Sequence, residues 1–167
     1  MTMKTKALLI ALTLLSSGFN AQAATVGEPA PQFTLPSLQQ DQAISLAQFS
    51  GKVVYVDFWA SWCAPCRTSF PLLNNLYQKY KAQGFEVVAV NLDENKINAE
   101  KFIKEFPVTF TVLRDSEGEW ADKYVVESMP TSFIVDKQGV IQKIHSGFTS
   151  DDINELEQKI VELLATK

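Results

Sequence analysis

The chain has 167 residues, 46% of them apolar and 20% charged, a balance that fits one folded domain with a sizeable core and excludes a disordered or low-complexity chain. Its formal charge is −4, and no basic patch or run of like charges marks it for nucleic acid or an anionic lipid surface. A structural zinc site takes four ligands; two cysteines and one distant histidine, His145, argue against one, so no metal is expected.

Lys4 and Lys6 precede the apolar run Ala7 to Leu15, and Ala21-Gln22-Ala23 follows a polar, glycine-containing segment. These are the three parts of an export signal with cleavage before Ala24, so residues 1–23 are expected to be a signal peptide and residues 24–167 the folded, exported domain. The run falls well short of the about 20 apolar residues that cross a bilayer, which disfavours the alternative of a retained anchor. No cysteine lies near the cleavage region to carry a lipid.

From Ala24 to Gln48, the short apolar pieces Phe33 to Leu35 and Ile44 to Leu46 are separated by prolines and polar residues and predict a small β-hairpin. Val53 to Trp59 is a near-continuous run of β-formers, as expected of a central strand buried on both faces. Beyond Cys63-Ala64-Pro65-Cys66, the residues Cys66, Phe70, Leu73, Leu76, Tyr77 and Tyr80 recur at helical spacing up to Gly84, with Pro71 inside predicting a kink. Phe85 to Leu92 reads as a second buried strand, and so long a crossover implies parallel pairing and an α/β sheet. A helix over 94–106 ended by Pro107, a strand from Thr109 to Leu113 and a helix from Glu119 to Tyr124 follow. Ser132 to Val135 and Val140 to His145, joined by Asp136-Lys137-Gln138-Gly139, predict an antiparallel hairpin. Asp151 to Leu164 predicts a closing amphipathic helix with Ser150 or Asp151 as its N-cap.

The two cysteines are the only ones in the chain and sit between a buried strand and a helix. A thiol is nucleophilic as thiolate, and the unpaired N–H groups and positive dipole end of a helix's first turn stabilise that anion at Cys63. Cys66, one turn later, is close enough to form an intramolecular disulfide. As a structural staple so small a ring would contribute only roughly 2 kcal/mol, less than a longer loop, which favours redox use of the pair.

Val56-Asp57-Phe58-Trp59-Ala60-Ser61-Trp62-Cys63-Ala64-Pro65-Cys66 resembles the thioredoxin active-site stretch, and Met129-Pro130-Thr131 resembles its cis-proline signature. The Val26-Gly27-Glu28-Pro29-Ala30-Pro31 lead-in, the extra helix and strand near residues 95–113, and the export signal resemble the TlpA/ResA-like branch of exported thiol-disulfide oxidoreductases. The resemblance implies a thioredoxin fold: a central mixed sheet flanked by helices, with an N-terminal β-hairpin and a central helix-strand insertion. It also implies Cys63 as the exposed nucleophile, Cys66 as the buried resolving thiol, and Pro130 lying against the disulfide after a cis bond. Ala64, Pro65, the Met129 and Thr131 backbone, and Gly147 would then border the substrate groove, with Trp62 as its apolar lip.

Asp57 interrupts a buried strand, where desolvation should raise its pKa. The resemblance implies a proton acceptor for Cys66; a carboxylate bonded to nearby backbone is the alternative. The lysine that accompanies this acid in thioredoxins is replaced by Ala89, and the glutamate three residues after the second cysteine in many TlpA/ResA-like proteins by Ser69. Trp59 reads as core packing, Arg67 as a solvated side chain, and His145 as lacking a partner.

These readings predict a thiol-disulfide oxidoreductase with no bound cofactor, acting on exported proteins with disulfides or thiols, as a reductase supplied by a membrane thiol-reductant donor. A monomer is expected. A peroxiredoxin-like thiol peroxidase is the rival enzyme, although the residue three before Cys63 is Ala60 rather than the threonine such sites use. A peptide-binding chaperone without turnover is the rival outside enzymes.

Overall fold

The computed structural model describes residues 24–40 and 42–166, so the expected signal peptide lies outside the described residues. Among the described residues, seven strands and four α-helices run in the order β1 (Thr34–Pro36), β2 (Ala43–Ser45), β3 (Val53–Trp59), α1 (Ala64–Tyr80), β4 (Phe85–Asn91), α2 (Lys96–Glu105), β5 (Thr111–Arg114), α3 (Glu119–Lys123), β6 (Thr131–Val135), β7 (Ile141–Ser146) and α4 (Asp152–Ala165). β1 and β2 pair as the antiparallel hairpin. The other five form one mixed sheet in the order β5-β4-β3-β6-β7, with β3, β4 and β5 parallel and β6 and β7 antiparallel additions. This is the thioredoxin-like α/β architecture.

All seven residues of β3 are buried because the strand is central and both its faces are covered. Side chains alternate across a strand, so Val53, Tyr55 and Trp59 enter one core and Val54, Val56 and Phe58 the other. The first core holds α1, α2 and α4 against the sheet, with Trp59, Phe70 and Phe102 in mutual ring contact at 4.6–5.0 Å between centroids. The second is closed by α3 and the N-terminal segment, where Tyr124 packs on Phe58 and Phe133.

The N-terminal segment reaches both sheet edges. Gly27 N–H donates to the Ile141 carbonyl at 2.8 Å and Glu28 accepts from Ile141 at one edge; at the other, Leu38 N–H donates to the Val112 carbonyl at 2.9 Å. α1 is continuous across Pro71, which removes one N–H donor from its ladder, and gives way to a 3-10 turn stopped by Gly84 at φ 94°. Asp151 is the N-cap of α4, one of the two expected residues, but its side chain makes no cap bond; the Asp152 carboxylate instead accepts from the Thr149 N–H and hydroxyl at 2.6 and 2.9 Å.

Candidate active site

The turn after β3 delivers Cys63 to the N-cap of α1, with Ala64 and Pro65 opening the helix, where proline's missing N–H costs nothing. Cys63 and Cys66 are joined as a disulfide. The Cys66 N–H donates to Cys63 Sγ at 3.2 Å, so this sulfur occupies the position in which a thiolate would meet the free donors of the first turn. Cys63 is 3% exposed and Cys66 0%. The expectation of an exposed nucleophile is therefore corrected for this oxidised form: both cysteines belong to the apolar cluster under α1. Trp62, one residue earlier, is 69% exposed.

Alternation along β3 places Asp57 on the face of Tyr55 and Trp59, beneath the disulfide-bearing helix. Its cross-strand neighbours are Ala89 and Ser132, neither of them a cation. Asp57 is 1% exposed, its Oδ2 has no hydrogen-bond partner, and burial alone pushes its pKa up to about 8. At neutral pH the group is thus mainly a carboxylic acid. Ser69, at the other departure from the family pattern, is buried and spends its hydroxyl on the Cys66 carbonyl at 3.3 Å.

The far side of the site comes from the loop before β6. The Met129–Pro130 bond is cis, and Thr131 pairs with Phe58, which sets Pro130 at the carboxyl end of β3, the same end as the cysteine turn. Met129 packs against the cluster that contains both cysteines. Gly147, at φ 80°, donates its N–H to the Pro130 carbonyl at 2.7 Å and joins β7 to this loop.

Other features were missed or misread in the sequence. Buried Asp93 accepts from the Ser61 N–H at 2.9 Å, the Ser61 hydroxyl at 2.7 Å and the Asn91 amide at 2.7 Å, and so fixes the turn two residues before Cys63. A carboxylate two residues past a buried strand was the available signal. Arg67 is engaged rather than merely solvated: it donates to Glu105 at 3.1 Å and lies over the Phe102 and Phe106 rings. His145 is not without a neighbour, since its Nε2 lies 3.5 Å from Asp152. Among the described residues, no group of three or more histidine, cysteine or acidic side chains is placed to hold a metal, and no helix is long and apolar enough to cross a membrane.

The model of the redoxin family matches residues 25–160. The chain is 37% identical over 162 residues to thiol-disulfide oxidoreductase ResA of Geobacillus thermodenitrificans, covering 93% of this chain and 92% of that one. Its identity to the Bacillus subtilis protein of the same name is 35% over 132 residues, covering 79% and 73% respectively. Among solved structures, the Chlorobium tepidum protein described as thiol:disulfide interchange protein DsbE superposes with a TM-score of 0.82 at 45% identity, covering 86% of this chain and 100% of that one.

Proposed function

We propose, from the premise that the chain belongs to the redoxin family as one of its ResA-like thiol-disulfide oxidoreductases, that it acts as a reductase of disulfides in exported proteins. The observation that carries the reading is the Cys63–Cys66 disulfide capping α1, with the Cys66 N–H aimed at Cys63 Sγ.

Reduced Cys63, as thiolate at the helix N-terminus, attacks one sulfur of a client disulfide and expels the other as thiolate, leaving a mixed disulfide. Asp57 in its ionised form, the minor one below about pH 8, then takes the proton of Cys66, and the Cys66 thiolate attacks Cys63 Sγ, which expels the second client sulfur. The client gains two electrons and the enzyme closes its own disulfide. In the return step a donor dithiol attacks Cys63, and Asp57, still protonated below about pH 8, supplies the proton to the departing Cys66 sulfur. Trp62, Ala64, Pro65 and Gly147 border the groove in which a client segment lies, against the backbone of Met129, Pro130 and Thr131. A membrane thiol-reductant donor fits continued reductase work in an oxidising compartment, residues 1–23 serve as the export signal, and the enzyme works as a monomer. No histidine lies between the cysteines to favour the reduced thiolate, which supports the reducing direction.

Insulin reduction driven by a chemical dithiol tests this. The parent should turn over, Cys63→Ser should be inactive, and Cys66→Ala should accumulate a mixed disulfide. A Cys63→Ser variant that still reduced insulin would end the dithiol reading, and a potential near those of strong disulfide oxidants would reverse its direction.

A further inference from the structure

The turn between β3 and α1 is held from a neighbouring strand. Two backbone bonds close its base, from the Leu92 N–H to the Trp59 carbonyl at 2.9 Å and from the Cys63 N–H to the Ala60 carbonyl at 3.1 Å. Its crown is gripped by Asp93, whose Oδ2 takes the Ser61 N–H and whose Oδ1 takes the Ser61 hydroxyl. The grip is itself anchored. Asp93 Oδ2 also accepts from the Asn91 amide, Asn91 Oδ1 accepts from the Asp93 N–H at 3.1 Å, and the Asn91 carbonyl accepts from the Asp115 N–H at 2.8 Å. Asn91 ends β4 and Asp115 follows β5, and all three side chains are buried, so Ser61 is tied to the carboxyl ends of two paired strands. Buried polar networks that are satisfied throughout fix one geometry.

The residue this fixes for chemistry is Cys63, two positions on and no more than about 7 Å along the chain from Ser61. In the oxidised protein the bond to Cys66 already holds Cys63 over the first turn of α1. Reduction cuts that tie. The helix then fixes the chain after Cys63, and the turn fixes the chain before it. A thiolate gains from the free N–H groups and the dipole of the first turn only while it stays over them.

We propose that Asp93 is a positioning residue for thiol exchange: acting through Ser61, it keeps Cys63 at the N-cap of α1 once the disulfide is open. This rests on Cys63 reacting as a thiolate. An effect of the Asp93 charge would have the opposite sign. A buried carboxylate near a thiol opposes its ionisation, so losing the charge alone would lower the Cys63 pKa, whereas losing the grip raises it as the sulfur leaves its donors. The other ionisable groups of the site are Asp57, Cys66 and Arg67 with its partner Glu105, and the variants below leave them all in place.

The test is the pH dependence of Cys63 alkylation by iodoacetamide in the reduced protein, with the modified residue located by peptide mass. The parent should titrate well below the roughly 8.5 of free cysteine. Asp93→Ala should raise that value by about one unit, or up to tenfold less thiolate at a given pH. Ser61→Ala, which keeps both the Asp93 charge and the N–H bond, should raise it by roughly half as much, and Ser61→Thr, which keeps the hydroxyl, should match the parent. Unchanged values in both alanine variants, even with stability lost in urea, would overturn the proposal and leave Asp93 a residue of the fold. A fall in Asp93→Ala with Ser61→Ala at the parent value would overturn it in favour of charge. A parent value near that of free cysteine would instead end the thiolate reading itself. Ser61 is only half-buried, so its variants keep the measurement decisive should Asp93→Ala fail to fold.

Discussion

Asp57 stores a pH dependence that reaches the stability of the whole protein. The native state holds its proton up to about pH 8 because the group is buried, whereas the unfolded chain releases it near the ordinary value of 3.8. Between these values the native state binds more protons than the unfolded one, so the contribution is fully present below about pH 4 and is lost as pH rises to about 8, at no more than about 1.4 kcal/mol per pH unit. Asp57→Asn removes this dependence. In urea unfolding of the oxidised protein, the stability of the variant relative to the parent should be greater at pH 9 than at pH 5 by roughly 4 kcal/mol; an equal difference at both values would mean that native Asp57 is solvated. This residue was legible in the sequence because a carboxylate inside a run of β-formers has few innocent explanations. Its surroundings were not, since only the strand register sets Ala89 and Ser132 opposite it and leaves it without a cation.

Among the elements, α3 is closed in an unusual way. The Val125 N–H donates to the Asp122 carbonyl at 3.0 Å and the Val126 N–H to the Ala121 carbonyl at 2.9 Å, the bond pair of a Schellman stop. The residue that must adopt the left-handed conformation there is Val125, at φ 56°, a β-branched side chain in a region that favours glycine. Because Val125 is 53% exposed, its replacement forfeits little burial. Val125→Gly should therefore raise stability by about 1 kcal/mol in guanidinium unfolding, the relief of the left-handed strain outweighing glycine's added chain entropy. A loss of stability would show that the valine side chain is held by contacts worth more than its strain. Periodicity made α1, β3, β4 and the β6–β7 hairpin readable to within a few residues, because burial on a face is written into spacing. Caps were less readable. At α3 a valine stands where a glycine would have announced the stop, and at α4 the carboxylate that closes the first turn sits one residue inside the helix.

At the scale of the molecule, residues 27–38 run from one margin of the five-stranded sheet to the other and bond to backbone at both, with isolated bridges at Pro29–Val140 and Ser37–Leu113. Tyr124 adds a hydrogen bond from its hydroxyl to the Pro31 carbonyl at 2.7 Å. Unpaired strand edges template association with other chains, so removing residues 24–40 should leave a protein that self-associates, seen as a rise in light scattering with concentration. A truncated chain that stayed monomeric would assign the segment another purpose. The resemblance drawn from the sequence reached the fold and the cysteine pair, yet the path of this strap depends on long-range pairing that no local pattern encodes. In the proposed reaction a client therefore meets the molecule at one pole, near Trp62 and the cis bond, away from the two margins where the strap is tied to Ile141 and Val112.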